Sequence, residues 1–105
     1  MNLNQEDWRK QLEADNNAVV LDVRTKDETL VGVIPIAVNI DIYKGQEFIT
    51  DVDRLDKSKN YYVYCRAGSR SEQACKIMND LGFDNTYNLI GGMSQWNGDV
   101  ALLEE

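Results

Sequence analysis

The residues best suited to chemistry lie in one short segment, Cys65-Arg-Ala-Gly-Ser-Arg70. Cys65 follows a run of aromatic and β-branched residues and precedes an amphipathic stretch. The nucleophilic form of cysteine is the thiolate, and an ordinary thiol with a pKa of about 8.5 is mostly protonated at neutral pH. The chain contains no histidine, so imidazole cannot stabilise the anion. A nucleophilic Cys65 therefore depends on the backbone and the cations of its own segment.

Three features of this segment favour an anion. Gly68 permits backbone conformations that turn successive N–H groups inward. A helix that begins just after Gly68 directs its positive end at the loop, and two arginines add permanent charge. The same arrangement suits an anionic substrate and the charge that develops on sulfur in a displacement step. We predict that Cys65 is the nucleophile and that the substrate-binding loop comprises Arg66, Ala67, Gly68, Ser69 and Arg70.

Cys75 provides the contrast. It falls inside the predicted helix beside core positions, without a glycine or a cationic loop, and we expect an inert, packed thiol. The simpler interpretation of Cys65 is the same, a small buried residue followed by solvated arginines. The coincidence of a glycine, two arginines and a strand–loop–helix context favours the nucleophile instead. A catalytic disulfide between the two cysteines has little support, because nothing in the sequence brings them together.

The elements that must position Cys65 are short apolar runs alternating with longer amphipathic stretches, which is typical of a parallel α/β sheet. We predict strands over 18–23, 37–40, 61–64 and 86–89. Helices are predicted over 5–14, 48–55 and from 69 or 70 to 81. Short helical turns are predicted over 26–30 and 93–97, and a fraying or surface-packed tail over 100–105. Ligand crevices lie beyond the carboxyl ends of parallel strands. The candidate site loops are therefore those after Val23, Tyr64 and Leu89.

Length and composition restrict the class of protein. The 105 residues are enough for one domain, and 43% hydrophobic with 28% charged residues indicate a folded chain with a modest core. The formal net charge of -7 argues against a basic face for nucleic acid. Two cysteines without histidine give neither a zinc site nor a disulfide framework, and no nucleotide-binding loop is present. We therefore expect no metal and no cofactor.

Targeting and membrane signals are also missing from the sequence. The first seven residues are polar and acidic, unlike a signal peptide. No apolar run approaches the ~20 residues that span a bilayer, so we expect no membrane partner. The expected location is cytoplasmic, where a thiol stays reduced.

Four segments together resemble the single-domain rhodaneses, the thiosulfate sulfurtransferase family. Cys65-Arg-Ala-Gly-Ser-Arg-Ser71 matches the family's active loop, Cys-x-x-Gly-x-Arg-Ser, and is the most specific of the four. Asp22-Val-Arg24 resembles the family's Asp-Val-Arg segment, and residues 32–40 resemble its Gly-His-Ile-Pro-Gly-Ala-x-Asn-Ile segment. Leu89-Ile-Gly-Gly-Met-Ser-Gln-Trp96 resembles its late Gly-Gly-x-x-x-Trp segment. The four occur in the family's order and cover nearly the whole chain.

The resemblance implies a fold and a reaction. The fold would be a single rhodanese-like domain over residues 1–105, of the α/β class, with a central, mostly parallel five-stranded sheet flanked by helices on both faces. Cys65 would take a sulfane sulfur from a small anionic donor such as thiosulfate and hold it as a persulfide. A thiol, a protein thiol, cyanide or another nucleophile would then remove it, as expected of covalent catalysis.

The resemblance also implies roles for the surrounding residues. The backbone N–H groups from Arg66 to Arg70 would hold the terminal sulfur, and the two guanidinium groups would hold the anionic donor. Asp22 and Arg24 would brace the loops through hydrogen bonds, and Ser71 would be a further supporting residue.

Gly91 and Gly92 have two equal interpretations, a simple turn or a loop that approaches the sulfur site closely. Two other positions depart from the family pattern. Val33 replaces a histidine, which removes a polar contact but no catalytic group. Ile36 replaces a glycine, and because it requires ordinary backbone angles, we expect this loop to follow a different path.

Two functions of other classes stay open. A cysteine-dependent phosphatase has five residues between cysteine and arginine, whereas Cys65 and Arg70 enclose four, and it has histidine where this chain has Tyr64. A non-enzymatic interaction module of the rhodanese fold is the other alternative, because a fold does not fix activity. Such modules usually lose the cysteine, which this chain keeps.

Overall fold

The computed structural model of the protein describes residues 1–103, which contain five strands and four α-helices. The strands are β1 (Asn2–Leu3), β2 (Ala18–Asp22), β3 (Val38–Asn39), β4 (Asn60–Tyr64) and β5 (Thr86–Leu89). The α-helices are α1 (Gln5–Glu13), α2 (Lys26–Thr29), α3 (Gln46–Asp53) and α4 (Ser69–Asp80). Two 3-10 turns cover Ile42–Lys44 and Gly92–Gln95. The strands pair in parallel in the order β1-β5-β4-β2-β3, which confirms the α/β class and the five-stranded sheet.

Four of these strands were predicted, and β1 was not. A two-residue strand is too short to show an alternating pattern, and only its backbone hydrogen bonds define it. The N–H of Asn88 donates to the carbonyl of Met1 over 2.8 Å, and that of Ile90 donates to Leu3 over 2.9 Å. Helix α3 begins earlier than predicted, directly after its N-cap residue Gly45, which has a φ of 60°. The last predicted helical turn is present as a 3-10 turn over Gly92–Gln95.

Helices cover both faces of the sheet, as the resemblance implied. Successive side chains of a strand point to opposite faces. Tyr62 of β4 packs in a buried cluster with Trp8 of α1. Val63, one residue later, packs on the other face with Phe48 of α3 and Met78 of α4. Burying each side chain of this size contributes about 1.5–3 kcal/mol, so the two clusters fix the sheet between its helices.

The strand order brings the carboxyl ends of β5, β4 and β2 to one edge of the sheet. Asp22 pairs in register with Tyr64, and Val63 pairs with Asn88. The three loops that follow these strands therefore begin side by side. This is the arrangement predicted for the loops after Val23, Tyr64 and Leu89.

The loop between α2 and β3 corrects one expectation. Ile36 has a φ of 65° and is the one non-glycine residue with positive φ within residues 1–103. The N–H of Ala37 donates to the carbonyl of Ile34 over 3.1 Å, which closes a turn with Pro35 and Ile36 in its middle positions. In a type II turn, where proline is common at the second position, the third residue has positive φ. The expectation that Ile36 forces ordinary angles was wrong, and its side chain, 77% exposed, meets no crowding there.

The end of the chain packs against the same loop. Val33 and Ala101 form an antiparallel bridge in which each N–H donates to the other's carbonyl over 2.8 Å. Val33 is buried, so the position of the family's histidine is apolar in this fold. The predicted tail over 100–105 is thus surface-packed at Ala101, and its last two residues lie outside the described part. No helix among the described residues has the length and apolar character needed to cross a membrane.

Candidate active site

Cys65 lies directly after β4, at the floor of the loop that leads into α4. The residue is 1% exposed. Gly68 adopts a left-handed φ of 107° and turns its N–H onto the Cys65 sulfur, with a nitrogen–sulfur distance of 3.1 Å. The hydroxyl of Ser71, in the first turn of α4, lies 3.3 Å from the same sulfur. Ala67 and Ser69 are exposed at the rim of this loop.

These contacts change the acidity of the thiol. Burial raises the pKa of Cys65, but hydrogen bonds from the Ser71 hydroxyl and from the backbone N–H groups of Ser71, Gly68 and Ala67 outweigh it. The pKa of Cys65 is therefore lowered from its ordinary value. Burial raises the pKa of Cys75 to about 11, and the Thr86 hydroxyl opposes this only in part. Of the two buried cysteines, Cys65 is the one that ionises more readily.

Asn88 supports the loop from below and was missed in the sequence. Its side-chain amide nitrogen donates to the carbonyl of Gly68 over 3.1 Å and to the amide oxygen of Asn2 over 3.0 Å. Its amide oxygen is in short contact with the Ser71 hydroxyl, whose single proton can be donated either to this oxygen or to the Cys65 sulfur. Both Ser71 and Asn88 are buried. An asparagine in the middle of the predicted strand 86–89 is the sequence signal that could have identified Asn88.

The loop after β5 presses against the Cys65 loop. The N–H of Met93 donates to the carbonyl of Cys65 over 2.9 Å, and that of Ser94 donates to Arg66 over 2.8 Å. Gly91 and Gly92 both have positive φ, of 82° and 53°. A Cβ on Gly92 would meet the carbonyl carbon and oxygen of Arg66 at 2.7 Å each. The geometry at Gly92 therefore supports the second interpretation of this glycine pair, a loop that approaches the Cys65 loop closely.

The two arginines of the loop have different surroundings. Arg70 forms a double contact with Glu28, Nη1 to Oε1 over 2.6 Å and Nη2 to Oε2 over 2.9 Å. The side chain of Arg66 is exposed, and its guanidinium makes no hydrogen bond or ion pair within residues 1–103. Arg70, which the resemblance assigned to the anionic donor together with Arg66, is therefore already paired with a carboxylate. Glu28, 42 residues away in the chain, already occupies both of its terminal nitrogens.

Asp22 and Arg24 are both buried and paired with each other. Arg24 Nη2 lies 2.7 Å from Asp22 Oδ2, and it also donates to the carbonyl of Gly32 over 2.8 Å. The guanidinium stacks over the Tyr64 ring at 5.5 Å. These bonds tie the end of β2 to the loop before β3. They fit the bracing role that the resemblance implied, and neither side chain bonds to the Cys65 sulfur.

A cleft of about 290 Å³ borders the Cys65 loop. It is lined by Arg24, Glu28, Val31, Arg66, Met93 and Ser94. Part of its wall is therefore charged and part apolar. In the part of the chain that the structure describes, no cluster of three or more acidic, histidine or cysteine side chains could hold a metal ion.

This fold and this loop define a family. A rhodanese-like domain profile matches residues 5–99, and the chain belongs to the rhodanese-like domain family. The predicted resemblance is confirmed.

Several relatives share much of the sequence. YtwF of Bacillus subtilis (strain 168), provisionally named a sulfurtransferase, is 38% identical over 92 residues, which are 88% of this chain and 85% of that protein. The adenylyltransferase and sulfurtransferase UBA4 of Meyerozyma guilliermondii is 34% identical over 82% of this chain. A tRNA uridine(34) hydroxylase of Pelagibacter ubique is 32% identical over 92% of it. The match covers 22% of UBA4 and 36% of the hydroxylase, so both are much longer proteins.

Solved structures agree on the fold. A rhodanese-related protein of Thermoplasma volcanium superposes with a TM-score of 0.80 at 28% identity, covering 97% of this chain and 98% of that one. A rhodanese-like domain protein of Staphylococcus aureus gives a TM-score of 0.82 at 24% identity, covering 98% of each chain. The second comparison bears on the fold alone.

Proposed function

We propose that this protein is a sulfurtransferase that carries a sulfane sulfur as a persulfide on Cys65. One observation carries the proposal: a buried sulfur that receives hydrogen bonds from Gly68 and Ser71, and whose pKa is lowered despite its burial. Family membership and relatives named as sulfurtransferases support the same class of reaction. A protein thiol or a small thiol is the proposed acceptor, and a small anion such as thiosulfate is the proposed donor.

The reaction has two displacement steps. In the first, the Cys65 thiolate attacks the outer sulfur of thiosulfate. A new S–S bond forms, the donor's S–S bond breaks, and sulfite leaves with the electron pair. In the second, an acceptor thiolate attacks the outer sulfur of the persulfide. The bond to Cys65 breaks, and the thiolate of Cys65 is restored together with an acceptor persulfide.

The residues of the loop have separate tasks in these steps. The backbone N–H of Gly68 and the Ser71 hydroxyl stabilise negative charge on Cys65 when it is the nucleophile and again when it is the leaving group. The exposed guanidinium of Arg66 is available to hold the oxygen atoms of an anionic donor. Arg70 holds Glu28 and so acts on the donor indirectly. A reducing compartment, such as the cytoplasm predicted above, would keep Cys65 reduced.

Intact-mass spectrometry after incubation with thiosulfate tests the proposal. We expect the wild-type protein to gain one sulfur atom and to lose it again when a thiol is added. Cys65→Ser should gain nothing, whereas Cys75→Ser, which removes the other buried thiol, should load normally. Loss of the adduct in Cys75→Ser with retention in Cys65→Ser would contradict the assignment.

The same preparation tests the other two functions. Release of phosphate from an aryl phosphate, dependent on Cys65, would favour the phosphatase. An unmodified Cys65 after treatment with thiosulfate and with organic sulfane-sulfur donors would favour the interaction module. We expect neither outcome. The spacing between Cys65 and Arg70 is one residue shorter than in a phosphatase, and a loop that enclosed only a packed residue would not need hydrogen-bond donors directed at the sulfur.

A further inference from the structure

Glu28 forms an ion pair with Arg70, the arginine that would otherwise be free to bind a donor anion. Its two carboxylate oxygens contact the two terminal nitrogens of Arg70 at 2.6 and 2.9 Å. This bidentate geometry is among the strongest that a carboxylate and a guanidinium form. The pair is partly shielded, with the side chains of Arg70 and Glu28 17% and 26% exposed. A donor anion that used Arg70 would have to displace this carboxylate.

Glu28 is also fixed from its own side. It belongs to a capping box in α2, in which its Oε1 accepts from the backbone N–H and the hydroxyl of Thr25, each over 3.1 Å. The guanidinium of Arg70 in turn lies over the Tyr43 ring at 5.3 Å. The hydrogen bond from Arg70 lowers the pKa of the Glu28 carboxyl to about 2, so Glu28 carries its negative charge at neutral pH.

The cleft beside the Cys65 loop consequently has little positive charge to offer. Glu28 and Arg66 both line it, together with the apolar side chains of Val31 and Met93. Arg24 lines it too but is neutralised by its contact with Asp22. Among the described residues that line this cleft, Arg66 is the one cation without a carboxylate partner. The protein as a whole adds a net charge of -7, which does not attract anions.

We propose that Glu28 is a specificity-determining residue that directs the site to sulfane-sulfur donors with at most one negative charge. Organic persulfides and thiosulfonates belong to this favoured class, whereas the thiosulfate dianion, the donor named above, loads Cys65 with a lower kcat/KM. The inference rests on the proposed sulfur transfer and names its donor class. With a thiosulfonate, the Cys65 thiolate forms the new S–S bond, the donor's S–S bond breaks, and a sulfinate leaves with the electron pair. The apolar side chains of Val31 and Met93 suit the organic part of such a donor.

Two donors of nearly the same shape isolate the effect of charge. Methanethiosulfonate differs from thiosulfate by a methyl group in place of one charged oxygen, so it carries one negative charge instead of two. The intrinsic reactivities of the two donors differ, and the informative quantity is how a substitution changes the ratio of their kcat/KM values. Glu28→Gln removes the charge but keeps an oxygen that accepts from Thr25, so the start of α2 is preserved.

We expect Glu28→Gln to raise kcat/KM for thiosulfate relative to methanethiosulfonate by about fivefold, the effect of one nearby unit charge in a partly exposed site. Added salt should reduce this gain. The control is Asp27→Asn, which removes the same charge from an exposed position of the same helix. It should leave the ratio unchanged.

Three other results are informative. If both donors load Cys65 and Glu28→Gln leaves the ratio unchanged, Glu28 does not set specificity, while sulfur transfer stands. If Glu28→Gln reduces both kcat/KM values equally, the residue is only a structural latch, and the inference is again overturned. If neither donor loads the wild-type Cys65, the proposed function itself fails, and the inference fails with it.

Discussion

Gly92 lies against the backbone carbonyl groups of Cys65 and Arg66 with no room for a side chain between them. Its φ of 53° is also one that other residues rarely adopt. The neighbouring hydrogen bonds from Met93 and Ser94 to these same carbonyl groups make the two loops one unit. The position of the Cys65 sulfur is therefore set in part by a loop that begins 25 or more residues later in the chain.

Substitution of Gly92 should consequently damage the site. We expect Gly92→Ala to lower the free energy of unfolding by about 1–3 kcal/mol, from backbone strain, and to reduce the rate of sulfur loading on Cys65 about tenfold or more, because the loop must shift. Denaturant unfolding and single-turnover mass spectrometry measure the two effects. Gly45→Ala is the matched control, since Gly45 has a φ of 60° but no atom within 4 Å of an added Cβ. Equal effects of the two substitutions on loading would show that close approach has no role.

Ser71 should lower the pKa of the Cys65 thiol through its hydroxyl. We expect Ser71→Ala to shift the pH profile of iodoacetamide alkylation at Cys65 upward by about one pH unit, because the thiolate loses a hydrogen-bond donor. At pH 7 the rate should therefore fall. Ser69→Ala is the control, since Ser69 is exposed in the same turn of α4 and its hydroxyl has no hydrogen bond within residues 1–103. An unchanged profile for Ser71→Ala would exclude this contribution.

Ile36 should store strain that glycine would release. We expect Ile36→Gly to be more stable than Ile36→Ala by about 1 kcal/mol, because only glycine adopts positive φ without a penalty. Both variants remove the same exposed side chain, so their difference reports the backbone. Denaturant midpoints at equal slope measure it. Glycine usually destabilises relative to alanine by about 0.5–1 kcal/mol, and that order at position 36 would contradict the assigned conformation.

The contact between Glu28 and Arg70 should make stability depend on acid pH. The folded-state pKa of Glu28, about 2, lies below its value of about 4.3 in an unfolded chain. The stabilisation is therefore complete above about pH 4.3 and is lost as the pH falls towards 2. Because Glu28 is partly exposed, we expect about 1–2 kcal/mol after solvent screening. Urea unfolding between pH 6 and pH 2.5 should show a smaller loss in Glu28→Gln than in the wild type, and parallel curves would contradict the contact.

Much of this architecture could be predicted from local patterns in the sequence. The strands β2 and β4 are mostly apolar or aromatic, and the Cys65 loop has its glycine and arginines within six residues, so both were predictable. The features that escaped prediction depend on contacts across the chain. Strand β1 exists only through its pairing with β5, and Asn88 is recognisable as a site residue only once Ser71 lies above it.

Arg70 shows the same limit at the site itself. Its place in the sequence predicted an arginine that could hold an anionic donor, but whether a guanidinium is available depends on what lies opposite it, and Glu28 belongs to helix α2. Ile36 was misjudged for the opposite reason. Residue type predicted ordinary backbone angles, whereas the proline before it and an exposed setting allow positive φ.

The claim on which the account depends is that hydrogen bonds from the loop hold Cys65 as a thiolate without imidazole. The most direct measurement is a titration of thiolate absorbance in Cys75→Ser, where Cys65 is the one remaining thiol. We expect a midpoint below the ordinary value of about 8.5. A midpoint at or above 8.5, the ordinary value for a free thiol, would contradict the account, because burial would then outweigh the hydrogen bonds of Gly68 and Ser71.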